Sequence, residues 1–211
     1  MNYEFENDAL SWLLAPVPVQ MFRDEYLEKK WLVAGEPDPT RFLGLLSIED
    51  LDRVLGQFGL RTPDIKLVRQ EDDVPSSNYV YRDNLVDPMR VGRLFAEGAT
   101  VIFGGLQDRH EPVRRLCTAV AQQATLRTQA NIYLTPPHSQ GFDIHWDTHD
   151  VFVIQIDGTK HWRIYNGGPE HPLGGEPAAV RTFESSGGLT SDRLDAVAPR
   201  AGAWVETRPQ G

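Results

Sequence analysis

Apolar positions along the chain change their spacing several times, and each change marks an element. Residues 8–14 suggest a short helix with Asn7 or Asp8 as cap, broken by Pro16 and Pro18. In residues 19–31, Met21 or Phe22, Tyr26 and Leu27 recur at helical spacing on one face. Ser47-Ile-Glu-Asp50 reads as a capping box with Asp in place of Glu or Gln. Ile48, Leu51, Val54 and Leu55 form the apolar face of the helix that follows, which Gly56 and Gly59 end. Ile65 and Leu67 alternate with Lys66 and Val68, predicting a strand. Residues 71–78 are polar and predict a loop. Asp87-Pro88 supplies an N-cap and a first-turn proline for a helix to about Glu97, closed by Gly98. Residues 99–103 predict a buried strand, and 111–124 a helix with Pro112 in its first turn.

Further on the period becomes two. Val151, Val153 and Gln155 alternate with Phe152, Ile154 and Ile156, a strand rich in β-branched and aromatic residues. Asp157-Gly158 is a strong hairpin signal, because glycine accepts the positive φ of a type I′ turn. Lys160, Trp162 and Ile164 then alternate with His161, Arg163 and Tyr165 on an expected return strand. Residues 166–192 are dense in glycine and proline and predict loop with weak strand. The chain therefore reads as α+β, with a mainly helical region over residues 1–97 and a strand-rich core over 98–211.

Composition narrows the class without naming a function. The 211 residues are 40% hydrophobic and 24% charged, which suits one sizeable domain with a core. No apolar run approaches the roughly 20 residues that cross a bilayer, so no membrane partner is expected. The acidic start lacks the basic region of a signal peptide, and the single Cys117 excludes an intrachain disulfide. Both point to a reducing cytoplasm. A net charge of −9 argues against direct nucleic-acid binding, which needs clustered Lys and Arg to displace counterions. It would suit a basic protein or peptide.

The candidate chemistry lies in residues 131–165. His145 and Asp147 are one residue apart, and in an extended segment residues i and i+2 point to the same face. An imidazole and a carboxylate aimed at one point are two thirds of a 2-His-1-carboxylate site, which holds Fe(II) and leaves other positions open. The pair leads into the strand that ends at Asp157-Gly158, with Lys160 just past the turn. A lysine there can bind a dicarboxylate through its ammonium charge. His149 shares the strand parity of His145. His161 points to the opposite face from Lys160. His110 and His171 read as ordinary histidines. Nothing in the sequence matches a nucleophile elbow, a phosphate-binding loop or a cysteine-based zinc site.

The run Asn131-x-Tyr133-Leu134-Thr135-Pro136-Pro137-x-Ser139-Gln140-Gly141-Phe142-x-x-His145-x-Asp147-x-x-Asp150-x-Phe152-x-x-Gln155-x-x-Gly158-x-Lys160-x-Trp162-Arg163-x-Tyr165 resembles the JmjC-type "cupin 4" ribosomal-oxygenase family. That resemblance is dense over residues 131–165 and looser from about residue 18 onward. It implies a double-stranded β-helix (jelly-roll) core and an Fe(II)- and 2-oxoglutarate-dependent protein hydroxylase, with a ribosomal-protein side chain as the leading substrate and an oligomer possible in a full-length form. It also implies His145 and Asp147 as iron ligands. Lys160 matches the position that pairs with the distal carboxylate of 2-oxoglutarate, and Tyr133 and Asn131 match positions lining that pocket. Two departures stand out. His138 replaces the glycine usual after the two prolines. The distal metal histidine also has no counterpart, since the family's spacing lands near residues 205–210 and no histidine follows His171. The expectation is a core incomplete at its C-terminus, with a catalytically inactive or truncated jelly-roll binding module as the alternative to an oxygenase.

Overall fold

The computed structural model describes residues 4–34, 40–69, 72–139, 150–158, 160–165, 196–198 and 204–209; from residue 161 onward it describes the backbone alone. Helix α1 (Ala9–Leu14) starts where the Asp8 carboxylate accepts the Ser11 backbone N–H at 3.1 Å, and it buries Ala9, Leu10, Leu13 and Leu14. The helix expected over 19–31 is shorter and wider. Helix α2 (Val19–Met21) passes into a π-helical turn over Phe22–Tyr26, where the Leu27 N–H reaches back to the Phe22 carbonyl at 2.8 Å. This turn buries only Phe22, so the apolar face expected from Tyr26 and Leu27 is only half covered.

A two-residue strand, β1 (Leu32–Val33), leads toward helix α3 (Ile48–Gln57). Both bonds of the Ser47–Asp50 capping box are present. Leu51 and Val54 of α3 are buried, but Ile48 sits at the first helical position and remains 38% exposed. Strands β2 (Ile65–Arg69) and β3 (Asp72–Asp73) form a hairpin where the sequence predicted only loop after residue 70. Helix α4 (Pro88–Ala96) is capped by the Asp87 carboxylate, which accepts the Met89 and Arg90 backbone N–H groups. Strand β4 (Thr100–Phe103) and helix α5 (Glu111–Ala124) follow as predicted. Strands β5 (Ile132–Leu134), β6 (Val151–Val153), β7 (Lys160–Tyr165), β8 (Ala196–Ala198) and β9 (Trp204–Pro209) complete the described elements.

Three antiparallel groupings result: β3-β2-β4-β5, β1-β8-β6 and β7-β9. The expected β6–β7 hairpin ladder is absent among the described residues. β6 pairs with β8, and β7 pairs with β9. Gly158 does adopt a positive φ of 67°, but the strands before and after it belong to different sheets. β8 and β9 lie beyond the glycine- and proline-dense residues 166–192, which are outside the described residues.

Period-two alternation gives the four-stranded sheet two distinct faces. Ile65, Leu67, Val101 and Phe103 join the main core with Leu14, Leu51, Val91, Leu94, Val113 and Leu116 from the helices. Ile132 and Leu134 of β5 pack against the same core, as do Phe152, Ile154 and Ile156 around β6. The register sets Val68 opposite Thr100 and Lys66 opposite Ile102 on the other face, away from these helices. Val68, Thr100 and Ile102 are buried there too.

Candidate active site

Two of the predicted pocket residues, Tyr133 and Lys160, come together in the structure. Ile102 of β4 pairs with Tyr133 of β5, so the Tyr133 side chain shares the face of Thr100 and Ile102. Tyr133 is 46% exposed. Lys160, at the start of β7, places its Nζ 3.4 Å from the Tyr133 backbone carbonyl. Burial pushes the Lys160 ammonium down to about 8 from its ordinary 10.5. Residues 27 positions apart in sequence thus meet across two sheets, through the Lys160 ammonium and the Tyr133 backbone carbonyl.

Asn131 shares the strand parity of Tyr133 but is engaged at the far end of β5. Its Oδ1 accepts the Gly105 backbone N–H at 3.2 Å and the Gln129 side-chain amide at 2.9 Å. Gly105 has a φ of 62°, so this asparagine closes the left-handed turn that follows β4. At the opposite end of β5, the Thr135 and Thr100 hydroxyls lie 3.1 Å apart. Thr100 is 1% exposed. Sequence reasoning passed over both threonines, although a threonine heading the otherwise apolar run Val-Ile-Phe of β4 was a visible signal.

The loop leaving β5 explains one departure noted in the sequence. His138 has a φ of 58°, in the left-handed region that favours glycine. A glycine at this place meets a backbone requirement, and histidine is among the residues that tolerate it best. Gly98 lies close to the same loop, where an added Cβ would come within 3.2 Å of Ser139 Oγ.

His145, Asp147, His149 and His171 lie outside the described residues, as does the His161 side chain. Among the described residues no three His, Cys, Asp or Glu side chains cluster as a metal site. His110 is structural: its Nε2 lies 3.0 Å from the Leu45 carbonyl and 4.0 Å from the Asp50 carboxylate, joining α5 to α3. Burial raises the Cys117 thiol, consistent with a packing role.

Residues 106–187 match the JmjC domain family model. The bifunctional lysine-specific demethylase and histidyl-hydroxylase NO66 of Drosophila willistoni is 31% identical over 186 residues, covering 88% of this chain and 23% of that protein. Ribosomal oxygenase 1 of Danio rerio is 30% identical over 169 residues, covering 76% of this chain and 29% of that protein. The Escherichia coli ribosomal oxygenase YcfD, solved with cobalt and 2-oxoglutarate, aligns with a TM-score of 0.58 at 18% identity over 92% of this chain and 48% of that one. The chain thus spans about a quarter of the length of these curated relatives and about half of the solved structure. A helix-backed antiparallel sheet with this likeness is a JmjC/cupin-type fold. The chain is similar to the JmjC ribosomal oxygenases.

Proposed function

We propose that the chain forms part of an Fe(II)- and 2-oxoglutarate-dependent oxygenase that hydroxylates a protein side chain, with a ribosomal protein as the leading substrate. The observation that carries this reading is Lys160, a partly buried cation whose Nζ lies 3.4 Å from the Tyr133 carbonyl. A buried ammonium is costly unless paired, and a dicarboxylate supplies the missing charge. In this reading Lys160 binds the distal carboxylate of 2-oxoglutarate and the Tyr133 side chain walls the pocket. Asn131 contributes by fixing the turn at the end of β5. His145 and Asp147 are the proposed metal ligands, and the sheets are proposed as walls of a double-stranded β-helix. Bound Fe(II) and 2-oxoglutarate would supply oxygen activation coupled to the loss of carbon dioxide.

Names among the relatives support the same direction. One is a histidyl-hydroxylase, others are ribosomal oxygenases, and YcfD has been solved with cobalt and 2-oxoglutarate. The net charge of −9 favours a basic protein surface as the partner.

The test is an anaerobic titration of the purified chain with Fe(II) and 2-oxoglutarate, following the visible metal-to-ligand charge-transfer band. A band is expected, and His145→Ala and Lys160→Ala should each abolish it while remaining folded. A folded parent chain with no band would sink the oxygenase reading and leave a jelly-roll binding module without a working metal site.

A further inference from the structure

We infer that Thr100 is a positioning residue for the proposed dicarboxylate pocket, acting through the hydroxyl of Thr135. The inference rests on the oxygenase reading and extends it to a residue deep in β4. Thr100 and Asp87 are the two buried polar or charged residues among the described ones, and Asp87 is accounted for as a helix cap. A valine would fill the Thr100 site with nearly the same volume, so the hydroxyl needs its own explanation.

A threonine hydroxyl carries one proton and can accept others. Among the described residues the one hydrogen-bond partner of Thr100 Oγ1 is Thr135 Oγ1, at 3.1 Å. If Thr135 donated, the Thr100 proton would be buried without an acceptor, a costly arrangement. Thr100 therefore donates, and the Thr135 proton is directed away from it. Thr135 follows Tyr133 by two residues and so shares its face, about 7 Å further along the chain. Lys160 Nζ lies 3.4 Å from the backbone carbonyl of Tyr133, two residues before Thr135. The next residue, Pro136, is buried and holds Thr135 in extended backbone. The result is a hydroxyl donor of fixed orientation and partial exposure near the ammonium of Lys160. A carboxylate bound at that ammonium can accept this second hydrogen bond.

The test is calorimetric titration of the full chain with 2-oxoglutarate in the presence of Mn(II), with melting temperatures measured alongside. The parent binds and Lys160→Ala does not. Thr100→Val weakens binding about tenfold, the size of one hydrogen bond to a charged group. Thr135→Val gives a similar loss, and the double variant is no weaker than Thr135→Val alone, because the two hydroxyls act in series. Thr100→Ser restores affinity to within about twofold of the parent, with all melting temperatures within ~3 °C.

Unchanged affinity in Thr100→Val overturns the proposal. So do additive losses in the double variant, or a failure of Thr100→Ser to rescue, since either makes Thr100 a packing residue. Should Thr100→Val not fold, Thr135→Val decides alone, and parental affinity there overturns the proposal. A parent chain that fails to bind 2-oxoglutarate refutes the oxygenase reading itself. Binding that is lost in Lys160→Ala but intact in Thr100→Val refutes only the role of Thr100.

Discussion

In the proposed reading, Lys160 trades stability for binding. Its ordinary pKa of 10.5 falls to about 8 in the folded chain. Between those values the unfolded chain binds more protons than the folded one, so stability rises with pH across that window. Below about 8 the burial cost is present in full. Lys160→Met is expected to flatten this rise and to stabilise the apo chain at pH 7 by about 1–2 kcal/mol, read from urea midpoints. The parent's affinity for 2-oxoglutarate should fall above pH 8, approaching tenfold per pH unit as the ammonium loses its proton. Equal affinities at pH 7.5 and 9.5 would remove Lys160 from the pocket. His138 gives a smaller lesson at the same scale. The family resemblance sets this histidine where a glycine is usual, and its φ of 58° lies in the left-handed region that glycine favours.

Elements were legible wherever their determinants are local. The Ser47 capping box, the Asp87 cap and the first-turn prolines Pro88 and Pro112 all act within a few residues, and each helix begins where these predict. Ser47→Ala removes the hydroxyl that accepts the Asp50 N–H and bonds its carboxylate, while the backbone N–H of residue 47 still donates to that carboxylate. It is expected to cost about 1 kcal/mol, measured by chemical denaturation. A cost near zero would mean that tertiary packing alone holds the start of α3. The turn at Asp157-Gly158 marks the limit of local reasoning. A glycine can report that the chain reverses, but which sheet each flanking strand joins depends on partners elsewhere. Those partners are β8 and β9, more than 30 residues downstream of β7.

At the scale of the molecule, one sheet serves two environments. Its helix-facing side supplies the core, and the reverse of the same strands carries Thr100, Ile102 and Tyr133. Leu67 is fully buried on the core side, opposite Val101. Leu67→Ala should destabilise the chain by about 3 kcal/mol through lost burial and a residual cavity. At low temperature, where it remains folded, its affinity for 2-oxoglutarate should match the parent's. Weakened binding by the fully folded variant would show that core packing sets the pocket geometry, and the two faces would not be separable.

The sequence by itself determined the α+β class, most helix boundaries, the parity of the strands and the family resemblance, because all of these rest on short-range periodicity or on a dense local motif. It also singled out Lys160 and Tyr133. Tertiary structure decided that Lys160 meets the Tyr133 carbonyl, that its charge is poorly solvated, and that Thr100 and Thr135 share a hydrogen bond across 35 residues. Register and sheet order fix those contacts, and both are set by the burial of the whole sheet against its helices, which no local pattern encodes.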